Sequence, residues 1–280
     1  MKIDTDTYYK QTEHRVNLRP ELHGSIETDV CIIGGGLAGI NTLLELSEKN
    51  ISAVLLEEKT LGSGASGRNG GFLSAGYSVP MKRLERRLGR KHAQDLYRLS
   101  AEGVGIVRRR CQNSPQTEID TEPGLVRMSW GKKENNLIAQ IDYMNSVYKT
   151  KLSYWSKSKV ADHYSSQKYS DAIFNPDAYQ LHSLNYVHKC ALDAESLGAK
   201  IFERTTAIKV TRRNNSYVVS TNNGDVRANT VVICTSASRN YVNTKLYNAI
   251  LPIGTYVLLT EPLFDRLTEA IRSPYAVSDN

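Results

Sequence analysis

The pattern of apolar and polar positions first becomes regular at Asp29. Residues 29–34 form a short β-branched apolar run, and glycines follow it. In residues 37–50, leucine and isoleucine then recur at helical spacing. A second apolar run, residues 51–56, ends in Glu57, Glu58 and Lys59. Strand, helix and strand in this order predict a βαβ unit with parallel strands.

The remainder of the chain alternates between helical and strand patterns. Residues 1–28 are polar with scattered aromatics and predict an arm that packs on a body downstream. We predict helices over residues 80–110, 134–150 and 183–197, the last capped by Ser183 and ended by Gly198. We predict strands over residues 124–130, 200–203, 207–212, 217–221, 225–228 and 230–235, with a hairpin turn at 222–224. Residues 151–182 are mixed in pattern.

The turn of the βαβ unit carries a recognisable glycine spacing. Residues 34–39 read Gly-Gly-Gly-Leu-Ala-Gly and fit Gly-x-Gly-x-x-Gly, which provides a tight turn, close approach to a pyrophosphate and close helix–strand packing. The amides that open the helix favour a diphosphate. Glu57 stands at the end of the second strand, where a carboxylate accepts hydrogen bonds from both ribose hydroxyls and disfavours the 2′-phosphate of NADP. The alternative is a glycine turn that only packs a strand on a helix.

A second glycine-rich segment bears on the choice of dinucleotide. FAD and NAD present the same ADP half to a βαβ unit, so the fingerprint alone does not separate them. Residues 62–71 are dominated by Gly, Ser and Ala, and such a loop brings backbone amides against a pyrophosphate and a flavin ring. This favours FAD, with a flexible surface loop as the alternative.

Residues 29–36, 54–57 and 64–71 together resemble the D-amino-acid-oxidase-like flavoproteins, closest to the gamma-glutamylputrescine oxidoreductase branch. The resemblance extends over nearly the whole chain. It implies an α/β fold, α+β overall, in which an FAD-binding Rossmann-like domain is interleaved with a substrate domain of mixed or antiparallel sheet plus helices. We expect the arm at 1–28, the FAD-binding domain at 29–80 and 183–240, and the substrate-domain elements at 81–182 and 241–280.

The same resemblance implies which residues contact FAD. The pyrophosphate and ribose contacts fall on Gly34, Gly36, Leu37, Ala38, Gly39, Glu57, Glu58 and Lys59. Contacts to the pyrophosphate and the flavin fall on Ser66, Arg68, Asn69, Gly70 and Gly71. Val210 is expected to offer its backbone to adenine, and Thr235 and Ser236 form the turn beneath the cofactor. The family usually has glycine or asparagine where this chain has Ser236, which is a departure from its pattern.

The reaction that the resemblance implies is oxidation of an amine or amino acid. Flavin N5 accepts a hydride equivalent, and oxygen then reoxidises the flavin to give hydrogen peroxide. A dehydrogenase with another electron acceptor and a nonenzymatic FAD-binding fragment remain open alternatives. His182, Tyr256 and Arg68 are weak candidates for the substrate side; for the first two, structural roles are favoured, and for Arg68 a cofactor-positioning role is equally favoured. Residues 272–280 resemble a mid-sequence segment of the family, so we expect a C-terminally truncated chain.

Composition adds limits to this interpretation. The net charge of +7 and pI near 9.1 suit acidic partners, but the dense basic stretch at residues 82–110 has the spacing of a solvated helix face. We therefore expect no nucleic-acid partner, and a tRNA-modifying flavoprotein is disfavoured. The 4 cysteines have no metal-site spacing and predict reduced thiols without a bound metal. The polar start carries no secretory signal, which predicts a cytoplasmic protein, and the longest apolar stretch is too short to span a membrane.

Overall fold

The computed structural model describes residues 7–14, 18–112, 119, 122–130, 134–236, 242 and 244–279. The elements of the first half, in chain order, are α1 (Tyr8–Gln11), β1 (Gly24–Ile33), α2 (Leu37–Glu48), β2 (Ala53–Leu56), β3 (Phe72–Leu73), α3 (Met81–Leu88), α4 (Arg90–Gln112), β4 (Glu122–Ser129) and α5 (Glu134–Tyr148). Those that follow are β5 (Ser153–Trp155), α6 (Lys157–His163), β6 (Asp171–Gln180), α7 (Ser183–Ser196), β7 (Lys200–Phe202), β8 (Ala207–Arg213), β9 (Ser216–Thr221), β10 (Gly224–Ile233), α8 (Thr244–Asn248), α9 (Asp265–Ala270) and β11 (Ala276–Asp279).

The chain forms two compact units, and it passes between them more than once. The first unit holds the described residues between 7 and 69 and between 183 and 257. Its six-stranded sheet has the order β7-β2-β1-β10-β9-β8. The four strands from β7 to β10 are parallel, and β9 and β8 are antiparallel to their neighbours. The predicted βαβ unit is therefore present, and its strands lie in the middle of the sheet.

The core of the first unit explains why β1 and β2 are so apolar. Cys31, Val54, Val219 and Val226 are buried together on one face of the sheet. Burial raises the pKa of the Cys31 thiol to about 12, because a thiolate is disfavoured in apolar surroundings. Helix α2 packs on helix α7, where the Tyr186 hydroxyl donates to Asn41 Oδ1 at 2.8 Å.

Two strands of this sheet are longer than the sequence pattern predicts. Strand β1 begins at Gly24 rather than at residue 29, and the predicted strands at 225–228 and 230–235 are a single strand, β10. The two pair in parallel over their whole length, and across the predicted gap the Asn229 side chain donates to Asp29 Oδ1 at 3.1 Å. These residues are polar because that part of the sheet is partly exposed, so an apolar run did not mark them.

The second unit holds the described residues between 70 and 112, between 119 and 182, and between 258 and 279. Its sheet has the order β11-β4-β6-β3, with β5 also paired to β6, and all pairs except β11–β4 are antiparallel. Trp155 of β5 is buried against this sheet and stacks on His163 and Phe174, with ring centroids 4.6 and 5.0 Å away. On the other side, Leu137 and Ile141 of α5 pack on Ile173. The two sheets confirm the expected mixed α/β fold.

The sequence pattern was wrong about one helix and gave no clear prediction for the mixed region 151–182. The predicted helix at 80–110 is two helices, because Gly89 between them has a φ of 83°, a left-handed conformation that ends α3. The mixed region 151–182 contains β6, a ten-residue strand with Pro176 inside it. Its partner β4 has an irregular register between Pro123 and Leu125, so neither strand shows regular apolar alternation.

No helix in the described parts of the chain is long and apolar enough to cross a membrane.

Candidate functional site

The turn between β1 and α2 is built so tightly that two of its positions exclude any side chain. Gly34 has a φ of 109°, and its amide donates to Leu56 O at 2.8 Å. A Cβ at Gly34 would lie 2.6 Å from Cys234 O, and a Cβ at Gly39 would lie 1.9 Å from Gly34 O. Both contacts are with backbone atoms, so the chain has to be glycine at these positions for β1, β10 and α2 to meet.

The first turn of α2 has amide groups for which the described part of the chain offers no acceptor. Gly36 is the N-cap residue and has no side chain to cap the helix, while the Leu37 amide donates to Ser66 Oγ at 2.9 Å. No described residue accepts a hydrogen bond from the amides of Gly36, Ala38 or Gly39. Gly36 and Leu37 are half-buried and Ala38 is exposed. Unpaired amides at the positive end of a helix dipole form a site for a phosphate group.

The Glu57 carboxylate is fixed beside this turn by two backbone amides. Its Oε2 accepts from Gly35 N at 2.7 Å and its Oε1 accepts from Lys59 N at 2.8 Å. Burial raises the pKa of Glu57 above its usual value, the two amide bonds oppose that rise, and the nearby carboxylates of Glu58 and Glu203 add to it. Each oxygen still has a lone pair for another donor, so the group can accept from a diol. Glu58 and Lys59 themselves are exposed.

The first part of the glycine-rich loop is folded on itself by its own polar groups. Residues Ala65–Gly67 form a 3₁₀ turn, and Asn69 Nδ2 donates to Ala65 O and Ser66 O at 3.1 and 2.9 Å. Arg68 Nε donates to Ser63 O at 2.8 Å. Ser66 thus lies beside the first turn of α2, and Arg68 lines a cavity of about 120 Å³ with Lys10 and His188.

The other predicted contact residues are spread over both units. Gly70 and Gly71 belong to the second unit, where their carbonyls accept from Gln180 Nε2 and Leu181 N at 3.2 and 3.0 Å. Val210 is half-buried on β8, the edge strand of the first sheet. Thr235 and Ser236 follow β10 in the first unit. Ser236 has a φ of 52°, a conformation that favours glycine or asparagine, so the serine at this position is strained.

The three candidates for the substrate side are divided between the two units. His182 is half-buried at the end of β6 in the second unit. Tyr256 belongs to the first unit and is 80% exposed. It lies in a segment without regular secondary structure, in which Leu251 and Leu258 are 80% and 95% exposed. Arg68 is held by its own loop. The described residues therefore bring together a glycine turn and a carboxylate that could hold a cofactor, but no recognisable set of catalytic side chains.

The second unit contains a larger cavity of about 620 Å³ between α4 and β6. Tyr97, Arg108, Asp177 and Tyr179 line it, and Arg108 lies over the ring of Tyr179 at 4.9 Å. Its size suits a small molecule. Because its lining carries both charge signs, the cavity does not select a ligand class by charge. Elsewhere, the described side chains form no group of three or more metal-binding residues.

Comparison with protein families decides whether the βαβ unit belongs to an FAD-dependent or an NAD-dependent family. Residues 29–280 match the family described as "DAO: FAD dependent oxidoreductase". The chain belongs to the DAO family. Membership confirms the family resemblance seen in the sequence. Because the family is FAD-dependent, FAD is the cofactor whose fit to the turn and to Glu57 has to be judged.

Individual DAO-type relatives agree with this assignment. The chain is 26% identical over 98% of its length to a probable oxidoreductase OrdL of Haemophilus influenzae, and 29% identical over 100% of its length to gamma-glutamylputrescine oxidoreductase of Escherichia coli. It spans 65% and 66% of those two proteins. Among solved structures, glycine oxidase from Geobacillus kaustophilus superposes with a TM-score of 0.59 at 22% identity, over 75% of this chain and 56% of that one. The likeness confirms the DAO fold.

Sequence reasoning missed three residues that shape this DAO-type site. The Gly35 amide anchors Glu57, and three consecutive glycines, where the fingerprint needs only two, were the available signal. Glu203 is 2% exposed, and its Oε1 accepts from Leu61 N at 2.8 Å. Ser183 donates to Asn69 Oδ1 at 2.7 Å, although we predicted it as a helix cap. The last two lie more than a hundred residues from their partners, so no local pattern revealed them.

Proposed function

We propose that this chain binds FAD at the β1–α2 turn and forms part of an FAD-dependent oxidoreductase that acts on a CH–NH bond of an amine or amino acid. The observation that supports it best is that amides at the start of α2, which have no acceptor among the described residues, lie beside a fixed carboxylate at the end of β2. One binds the pyrophosphate and the other the adenosine ribose. FAD, when bound, supplies the acceptor for the hydride equivalent that leaves the carbon beside nitrogen.

The residues that hold the cofactor divide by their chemistry. Gly36, Ala38 and Gly39 offer amides to the pyrophosphate, and Ser66, whose oxygen accepts from Leu37 N, keeps its hydroxyl proton for a phosphate oxygen. Glu57 accepts from the ribose. On the strength of the family resemblance, the proposed set also includes Gly34, Leu37, Glu58, Lys59, Arg68, Asn69, Gly70, Gly71, Val210, Thr235 and Ser236.

A gamma-glutamylated polyamine is the first substrate to test. It is supported by the name of the Escherichia coli relative, which is 29% identical over the whole of this chain. We propose oxygen as the final acceptor, with hydrogen peroxide as the product, and a cytoplasmic location.

The binding site is tested by calorimetric titration of the folded chain with FAD. We expect Glu57→Gln to weaken FAD binding roughly tenfold to a hundredfold, because a hydrogen bond to a charged group contributes about 1.5–3 kcal/mol. Glu27→Gln is the matched control, since Glu27 is an exposed carboxylate of β1 that forms an ion pair with Arg227 at 3.5 Å. Equal FAD affinity in the two variants, or no FAD uptake by the wild-type chain, would contradict the proposed site.

The reaction is tested on the FAD-loaded protein. Loss of the flavin absorbance on addition of gamma-glutamylputrescine or a simple amino acid supports amine oxidation, and a yellow protein that no amine bleaches contradicts it. Peroxide released in air, compared with reduction of an added dye, separates an oxidase from a dehydrogenase.

A further inference from the structure

Most of the net positive charge of this chain lies within ten residues. Residues 82–91 read Lys-Arg-Leu-Glu-Arg-Arg-Leu-Gly-Arg-Lys, and their six cations and one carboxylate give a net charge of +5. The whole chain carries +7, so the other 270 residues together contribute only +2. The basic patch is defined here as the six cations of this stretch: Lys82, Arg83, Arg86, Arg87, Arg90 and Lys91. The high pI is therefore the property of one short segment.

Helix α3 turns its four cations to one side. Successive residues of an α-helix are separated by about 100°, so these cations cover an arc of about 140° on the helix surface. All four are exposed, and so are the two members of the basic patch at the start of α4. On the opposite side of α3, Met81 is 7% exposed and packs with Ala93 and Tyr148. Helix α3 is therefore amphipathic, with its basic side in solvent.

Within the described residues, few acidic groups neutralise the basic patch. The one carboxylate among its cations, Glu85, is 14% exposed and accepts hydrogen bonds from two tyrosine hydroxyls of α5. Arg90 Nε lies 3.8 Å from this carboxylate, and the other members of the patch form no ion pair with a described carboxylate. Farther along α4, by contrast, Arg98 is paired with Asp95 and Glu102 at 3.1 and 3.7 Å. The uncompensated charge is therefore confined to the basic patch.

An exposed leucine lies among these cations. Leu88, the last residue of α3, follows Arg87 and is 47% exposed. No residue from 81 to 92 is aromatic, whereas proteins that bind single-stranded nucleic acids combine basic grooves with aromatic side chains on which bases stack. A basic amphipathic helix with an exposed leucine fits an anionic bilayer instead. The cations meet lipid phosphates, and the leucine enters the boundary between headgroups and acyl chains.

We propose that the basic patch is a docking surface for an anionic lipid bilayer, with Leu88 inserted among the headgroups. Each Lys or Arg near an anionic membrane surface strengthens binding by a factor of about five. The attachment is peripheral and reversible, because it comes from charges that salt screens and from one leucine. The docking surface lies entirely in the second unit and does not depend on FAD binding.

The test uses the full chain and vesicles of phosphatidylcholine, either alone or mixed in equal parts with phosphatidylglycerol. Bound protein is measured by co-sedimentation. We expect the wild-type chain to bind only the mixed vesicles. Raising NaCl from about 0.1 M to about 1 M should release it, because the screening length falls from about 10 Å to about 3 Å. No binding to the mixed vesicles at the lower salt concentration would overturn the proposal.

Two triple variants locate the attraction. The patch variant replaces three arginines of α3 with glutamine: Arg83→Gln, Arg86→Gln and Arg87→Gln. The matched control removes the same charge at three exposed sites of the first unit: Lys49→Gln, Lys200→Gln and Arg213→Gln. We expect the patch variant to bind mixed vesicles about a hundredfold more weakly, as the loss of three cations implies, and the control to bind as the wild type does. Equal weakening in the two variants would mean that net charge alone attracts the protein, which would overturn the proposal.

A single variant, Leu88→Gln, separates a bilayer from other anionic partners. Loss of the leucine should weaken binding to mixed vesicles about fivefold, because the side chain no longer buries apolar surface. Leu197→Gln, at a 54% exposed leucine of the first unit, should not weaken it. Vesicle binding that Leu88→Gln leaves unchanged would overturn the insertion of Leu88.

Single-stranded RNA, measured by fluorescence anisotropy, is the competing polyanion. RNA binding that the patch variant loses, together with no binding to mixed vesicles, would assign the basic patch to nucleic acid and overturn the proposal. Far-UV circular dichroism checks that each variant is folded. If the patch variant does not fold, the release of the wild type by salt and the comparison of Leu88→Gln with Leu197→Gln still decide.

Discussion

Replacing Gly39 with alanine should force helix α2 away from strand β1. The added Cβ would lie 1.9 Å from Gly34 O, 3.1 Å from Gly34 C and 3.4 Å from Ile32 Cγ2. The two nearest atoms belong to the backbone and cannot rotate aside, so the helix has to shift by roughly 1 Å or more to reach normal contact. Overpacking of this kind costs about 1–3 kcal/mol, against a gain of up to about 1 kcal/mol from the helix preference of alanine. We expect a net loss of about 1–2 kcal/mol.

The measurement is thermal unfolding followed by far-UV circular dichroism, with an expected fall in the midpoint of about 2–6 °C. Gly103→Ala is the matched control, because Gly103 lies within α4 and an added Cβ there meets nothing within 4 Å. That variant should be unchanged or more stable by up to about 1 kcal/mol. A Gly39→Ala protein as stable as the wild type would refute the packing argument. FAD affinity provides a second readout, since the displaced amides are those proposed for the pyrophosphate.

Three other substitutions test separate features. Ser236→Gly should raise the unfolding midpoint by about 1–2 °C. A serine at φ 52° carries about 1 kcal/mol of backbone strain, and the greater backbone entropy of glycine in the unfolded chain cancels only part of the gain from removing that strain. A lower midpoint would contradict this. Burial lowers the pKa of His188, so the unfolded state binds a proton at a higher pH than the folded state does, and the free energy of unfolding falls as the pH drops below the ordinary value of 6.5. His188→Gln should reduce that fall, which is measured as the difference between urea midpoints at two pH values. His92→Gln, at an exposed histidine, should not reduce it. Leu55→Ala, at a 0% exposed site of β2, should cost about 2–5 kcal/mol in urea unfolding, and Leu197→Ala, at a 54% exposed site, less than about 0.5 kcal/mol.

The parts of this protein that sequence predicted well are those determined by neighbours in the chain. The β1–α2 turn depends on Gly34, Gly36 and Gly39, and the acidic position at Glu57 follows at the usual distance. Each of these follows from backbone geometry within one βαβ unit, and the family match confirms the fold that they indicated.

The parts that escaped prediction depend on contacts between distant segments. The polar first half of β1 is a strand only because β10 pairs with it. The roles of Ser183 and Glu203 depend on partners 114 and 142 residues away. The break at Gly89 was a local feature that the helical spacing on both sides concealed, because the periodicity of side chains does not record a single left-handed residue.

The pairing of β1 with β10 also determines when this protein can begin to fold. Asp29 and its partner Asn229 are 200 residues apart, so strand β1 leaves the ribosome long before the strand that covers one of its edges. At a synthesis rate of about 5–20 residues per second, that interval is roughly 10–40 s. During it, Ile32 and its neighbours have an open backbone edge, a state prone to aggregation. The first sheet is therefore completed late, and we expect slow refolding in vitro and a dependence on chaperones during synthesis.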